Sequence, residues 1–461
     1  MYTEAKQRKG TILMRFMLLT VTISSMSSLM FHVVLPQISE EFNLSLTQVS
    51  WLASAYTLIY AFGTVTYGKL ADRFQLKTLL TFGLSLFAAG SLIGLVSQTF
   101  AVVLLGRCLQ SAGAAAVPAI SLIIPVRYFK PENRGSAMSM TAVGVALGSA
   151  LAPLVSAFVM SIASWRWLFL PSLLILLLLP LYRRYLEFEP KQEQQALDWI
   201  GGGLLAVSVA LLLIGVTYQT WWLLLVSLAA FLLFLARIRT AKAPFIDPKL
   251  FENRSYVVGL LLTLLIAGIG ISLYFVPPIL LARVYEMDSS LIGFAMVPAA
   301  IASSILGRQG GKLADRKGNA FVLTLASCSL MTCFILMSTF TEISPALIAL
   351  FLIFGNVGQS FMQIAMSNSV SRTLPADRTG AGMGLFSMTS FVAQGIGTAV
   401  YGLAVELDGA VSWNPLHIGS TSAVLSNLYL VLVVLHIAIL VTYRLQFSSS
   451  KPNIALKPSA E

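Results

Sequence analysis

Charged side chains are scarce here: Asp, Glu, Lys and Arg make up 11% of the 461 residues, against about a quarter in an ordinary soluble domain. With 57% of the chain hydrophobic, a water-soluble fold would lack the polar surface to hide its apolar side chains. Acids are scarcer than bases, 19 against 30, and none lies near the middle of an apolar stretch. Cysteine is nearly absent. Cys108, Cys328 and Cys333 all sit in apolar stretches, with no spacing that frames a disulfide network or a metal site. With three histidines and no recognisable nucleophile and base pair, the sequence gives no sign of a soluble enzyme, and no cofactor is expected. The net charge of +11 comes from small basic clusters between apolar stretches. A nucleic-acid binder would instead carry a continuous basic face.

What is present is a succession of hydrophobic stretches long enough to cross a bilayer. Spans are predicted near residues 14–36, 48–68, 78–97, 101–125, 136–161, 165–182, 198–218, 221–238, 257–281, 290–309, 319–340, 344–368, 379–404 and 424–443, fourteen in all. The first runs from Met14 to Leu35, longer than the apolar core of a signal peptide, so it is expected to remain as a span. With the N-terminus placed in the cytoplasm, 27 of the 30 Lys and Arg residues fall on the inner side, leaving Arg166 and Arg283 outside and Arg107 within a span. One span more or fewer would destroy this asymmetry, so count and orientation support each other. Both termini are expected to be cytoplasmic.

The chain also repeats itself. Gly68 to Arg73 and Gly311 to Arg316 both read GKLADR, 243 residues apart, and Pro131-Glu132-Asn133-Arg134 is echoed at Pro375, 244 residues on. Both pairs shift the span number by eight. Two matching six-helix halves are therefore expected, at residues 1–185 and 257–446, with two helices inserted within 186–256 and a cytoplasmic tail at 447–461. Gly63 and Gly68-Lys69 almost spell a nucleotide-binding loop, but Leu70 replaces the required hydroxyl residue and the segment ends a membrane helix, which excludes ATP hydrolysis there.

These features resemble the major facilitator superfamily. Gly68 to Arg73 resembles its loop between spans two and three, Arg107 to Gly113 its span-four motif, and Gly144 through Gly148 to Pro153 its span-five antiporter motif. Fourteen spans resemble the drug:proton antiporter branch, and Pro244 to Pro248 and Gly380 to Gly397 are most similar to Gram-positive tetracycline-efflux members. The resemblance implies an all-α integral membrane protein of the cell membrane that moves a small molecule by alternating access, as efflux pump and antiporter, with a role in multidrug or antibiotic resistance.

Several residues carry that expectation. Gly68, Asp72 and Arg73, with Gly311, Asp315 and Arg316 in the other half, form a reversible latch between the halves. Asp72 is expected to accept bonds from an adjacent helix N-terminus or from Arg134. Arg107, a charge within a span, needs a reason to be there. Gln110 and Gly113 share its helix face, which points to a polar stripe toward a central cavity; surface snorkelling is the alternative, and pairing of Arg107 with a carboxylate on the cargo, which would favour anionic or zwitterionic molecules, is a further one. Gln359, Gln363, Tyr56 and Tyr60 are further cavity candidates, while Phe386 and Met388 read as packing. Tetracycline-efflux relatives carry glutamates in spans one, five and thirteen where this chain has Ser28, Ser149 and Gln394, which argues against a metal-chelated cationic cargo. His32 remains as a titratable group placed for proton exchange or simply hydrogen-bonded in the bundle; His436 reads as structural. A lipid or metabolite transporter of the same fold, or a sensor that no longer transports, are the competing readings.

Overall fold

In the computed structural model, residues 4–44, 46–49, 51–186, 198–241, 244–287, 289–375, 378–405, 412–418 and 423–447 are described. Among them fourteen long helical segments follow one another: α1 Glu4–Phe42, α2 Trp51–Ala71, α3 Leu76–Leu95, α4 Phe100–Tyr128, α5 Arg134–Ile162, α6 Trp165–Tyr185, α7 Trp199–Thr217, α8 Trp221–Thr240, α9 Arg254–Tyr285, α10 Ser289–Lys317, α11 Asn319–Thr339, α12 Pro345–Thr373, α13 Thr379–Val405 and α14 Ala423–Phe447. Thirteen are long and apolar enough to cross a membrane. The exception is α2, which with three tyrosines and three threonines is diluted by the polar groups it turns toward the molecule's interior.

Irregularities follow the prolines. Pro277 and Pro278 lie just beyond a break in α9 at Ile271. Pro171 and Pro180 punctuate α6, which alternates between α-helical and 3-10 turns, because each proline removes a backbone donor and crowds the preceding turn. Glycines set the closest crossings. Gly90 and Gly106 each lack room for a methyl group because the partner helix backbone is against them, so α3 and α4 touch along their backbones.

The N-terminal six helices hold two apolar clusters, one around Met14, Leu80, Ile123 and Tyr182 and one around Met30, Phe31, Leu168 and Phe169. A larger cluster joins α9 to α14 and takes in Phe234 and Ile238 of α8. The α7–α8 hairpin lies along the seam between α2 and α13. Trp221 and Leu225 of α8 are 80% and 68% exposed and Leu177 of α6 is 69% exposed, faces that need lipid rather than water around them. Cys108, Cys328 and Cys333 are free thiols.

Candidate functional site

The two GKLADR segments end in the same geometry. Asp72, just past α2, accepts through Oδ1 from the Gly380 N–H and through Oδ2 from the Ala381 N–H, each at 2.8 Å. Asp315, in the last turn of α10, accepts likewise from the Gly135 and Ser136 N–H groups, again at 2.8 Å. Both carboxylates thus cap the N-terminus of a helix in the other half, where backbone donors lack intrahelical partners and the helix dipole favours negative charge. Burial pushes the Asp72 carboxyl up to about 6, against the pull of its two N–H bonds.

Glycine makes this approach possible. A methyl group on Gly68 would stand 2.5 Å from the Gly380 carbonyl oxygen, and one on Gly311 would stand 2.5 Å from that of Gly135. Of the two partners expected for Asp72, the structure has the helix N-terminus. Arg134 instead donates to the Val126 and Phe129 carbonyls at the end of α4, and Arg127 donates to the Ala71 carbonyl. Arg73 and Arg316 flank the carboxylates, and their side chains make no hydrogen bond or ion pair among the described residues. Arg372 reaches the Pro131 carbonyl at 2.9 Å, and Arg378 pairs with Asp247 at 3.1 Å. The bonds that join the halves gather at this one face.

Above the caps lie two cavities. The first, about 210 Å³, is walled by both halves: Thr141 of α5, Ser303 of α10, Asn356, Gln359, Ser360 and Gln363 of α12, and Phe391 and Gln394 of α13. Thr141 Oγ1, Gln359 Oε1 and Ser360 Oγ are buried there without a hydrogen-bond partner, the condition in which a ligand or ordered water completes a polar site. The second, about 390 Å³, lies among Ser28, Trp51, Tyr56, Tyr60, Tyr218, Phe391 and Gln394. Gln394 borders both. Tyr60 meets Phe391 edge-on, 4.7 Å between ring centroids, across the halves. Sequence reasoning missed the contribution of α7, whose Leu213 and Ile214, with Tyr218 just past its end, wall the second cavity; apolar residues on an inserted helix carry no signal that sets them apart from lipid-facing ones. Asn356, an amide inside an apolar span, was a detectable signal that sequence reasoning passed over.

Three expected cavity residues lie elsewhere. Arg107 is fully buried inside the N-terminal half, which excludes snorkelling and corrects the expected polar stripe. It donates to the Ser27 carbonyl and to Gln110 Oε1, while Gln110 donates to Ser91 of α3. The helix face carrying Arg107 and Gln110 therefore looks into the bundle, with Tyr56 between it and the second cavity. Ser149 bonds the Val145 carbonyl and borders neither cavity; Ser28 and Gln394 do border one. Gly144 and Gly148 press on the Leu18 and Thr22 carbonyls of α1, which makes the α1–α5 crossing. The side chains of Pro153 and His32 lie outside the described ones, although both positions are helical. His436 is buried against Phe334 and holds the Leu432 carbonyl, and Phe386 and Met388 pack in the large cluster. No group of three or more His, Cys, Asp or Glu among the described residues can hold a metal ion.

The sequence profile of the Major Facilitator Superfamily matches residues 17–398. Multidrug resistance protein 3 of Bacillus subtilis (strain 168) is 29% identical over 324 residues, 67% of this chain and 62% of that protein, so the match spans about three-fifths of the relative's length. The riboflavin transporter RibZ of Clostridioides difficile (strain 630) is 24% identical, covering 83% of this chain and 85% of that one. Among solved structures, the human organic anion transporter MFSD10 (TETRAN) superposes with a TM-score of 0.68 at 15% identity, covering 94% of this chain and 99% of its own. The proton:xylose symporter XylE gives 0.67 at 13% identity, with 97% and 96% covered. At such identities the structures speak for the fold alone. Fourteen long helices, a repeated carboxylate cap and a profile match across most of the chain agree: this multi-pass membrane protein belongs to the Major Facilitator Superfamily of transporters.

Proposed function

We propose that the protein is a secondary active exporter of amphipathic, drug-like small molecules, seated in the cell membrane with both termini in the cytoplasm. The observation that carries this reading is the pairing of Asp72 on α13 with Asp315 on α5, two equivalent caps closing one face beneath cavities walled by both halves. The basic residues concentrated on that side support its assignment as the cytoplasmic face. Rocking the halves apart there would break both caps together and open the cavity inward, while closing them commits the cargo outward. The residues 1–185 and 257–446 would then move as two bodies.

The cavity walls support the cargo class. No carboxylate borders either cavity among the described residues, so a metal-chelated cation finds no counter-charge, whereas apolar walls with scattered amides and hydroxyls suit an amphipathic molecule. Overexpression followed by dye or antibiotic accumulation, with and without an uncoupler, tests export. Gradient-dependent exclusion is expected; equal accumulation in expressing and control cells across a broad panel, from correctly folded protein, would overturn it.

A second reading, a polar metabolite as cargo, draws on Asn356, Gln359, Gln363 and Gln394 in the cavity walls, amides able to read a planar heteroaromatic edge, and on the relative that transports riboflavin. Gln359→Leu discriminates. Loss of one amide from a polar cargo's contacts should weaken its binding about tenfold or more, since a buried group left unpaired costs about 1–3 kcal/mol. An apolar cargo should be held equally well. Fluorescence titration of the purified variant reads both.

A further inference from the structure

Arg107 heads the fully buried large side chains of the described protein, and it is a cation without a counter-ion there. Its guanidinium lies 4.3 Å from the ring centroid of Phe31 and 4.1 Å from that of Tyr56. One nitrogen, Nη1, serves the Ser27 carbonyl and Gln110; Nε and Nη2 donate to nothing. Two more buried groups belong to the same cluster and make no bond of good geometry, the Tyr56 hydroxyl and Ser24 Oγ, each on a residue about 1% exposed. Ser24 Oγ lies within reach of both the Tyr56 and the Tyr60 hydroxyl, and as a donor it can serve only one of them at a time.

Two unused guanidinium nitrogens and two weakly held hydroxyls thus converge on one place. Ordered water would satisfy donors but not charge, and a lone charge at membrane depth is costly even on insertion scales. The two ring faces offset part of that cost, but they leave Nε and Nη2 unused. Arginine stays protonated and presents its donors as a planar fork that fits an oxyanion. Tyr56 is the partition between this place and the outside. Its ring borders the 390 Å³ cavity, stacks on Tyr60 with centroids 5.8 Å apart and covers Arg107, so a rotation of one side chain connects the two.

We propose that Arg107, Ser24 and Tyr56 form an anion site opening off the larger cavity, which accepts one negative charge: the carboxylate of an amphipathic cargo or a free halide. The inference rests on reading that cavity as the cargo site, and it narrows the cargo to molecules that are anionic or zwitterionic.

The test uses the purified full chain in detergent, with pyrenebutyrate and its methyl ester as fluorescent probes and isethionate as the bulk anion. The acid should bind about tenfold tighter than the ester, as hydrogen bonds to charged groups exceed neutral ones. Ser24→Ala and Tyr56→Phe, which delete hydroxyls, should each lower the acid-to-ester ratio about threefold or more, and Arg107→Lys, which keeps the charge but loses the fork, should do the same. Chloride exchanged for isethionate at constant ionic strength separates the sources. A halide site shows competition with the acid and a raised Tm, whereas a cargo-carboxylate site shows neither. Equal binding of acid and ester together with a Tm indifferent to chloride would overturn the proposal, as would an acid preference unchanged in all three variants. Equal but tight binding of both probes would leave the exporter reading standing. Loss of both would count against that reading as well.

Discussion

Asp72→Asn should reduce transport to less than a tenth while leaving membrane insertion and yield unchanged. The carboxylate accepts two backbone bonds at 2.8 Å from the start of α13, and hydrogen bonds to a charged group contribute about 1.5–3 kcal/mol each. An asparagine can accept one of them through Oδ1, but its Nδ2 then faces the other N–H, donor against donor, and the interaction with the helix dipole is lost. A deficit of about 3 kcal/mol is roughly a hundredfold in the ratio of two conformational states. Such a shift empties the state closed at this face and stalls the cycle. Asp315→Asn, which disturbs the equivalent cap on α5, should act in the same direction, and the double variant should add little, because one broken cap already opens the face. Uptake or efflux in vesicles, normalised to folded protein, measures all three; unimpaired turnover in Asp72→Asn would reject the latch.

Much of this architecture could be read from composition and repetition. Span number follows from hydrophobic length, because that length reports the bilayer rather than the tertiary fold. The paired caps were legible because GKLADR occurs twice at an offset shared by a second pair, and topology alone requires no such identity. Helical spacing placed Arg107 and Gln110 on one face correctly, yet it could not say which neighbour that face meets. The neighbour is α3, through Ser91, and the cavity lies beyond Tyr56. Ser149 shows the same limit: its register on α5 is clear from the sequence, but its distance from both cavities depends on how α5 rotates against α1 at Gly144 and Gly148. The role of α7 as a cavity wall was illegible for a different reason, since Leu213 and Ile214 would look the same facing lipid.

The close crossing of α2 with α13 leads to the second large effect. A methyl group on Gly68 would meet the Gly380 carbonyl oxygen at 2.5 Å and the Gly384 Cα at 2.8 Å, both backbone atoms that no rotamer change can move. Gly68→Val must therefore push the helices apart just where Asp72 reaches the first turn of α13, so the two N–H bonds lengthen and the cap is lost along with the packing. Overpacking of this kind costs about 1–3 kcal/mol, here added to the cap energy, and transport should fall to a few per cent. The variant should also change which side reaches the cavity. With the native cysteines replaced, Ser387→Cys places a thiol in the wall of the smaller cavity, and a membrane-impermeant maleimide applied from the Asp72 face should label it at least tenfold faster in the Gly68→Val background. Gly203→Ala and Gly293→Ala serve as controls, because nothing lies within 4 Å of a methyl group at either position; they should label and transport as the parent does. If Gly68→Val labels no faster than the parent, the crossing does not gate this face, and the loss of transport would have to come from elsewhere in the bundle.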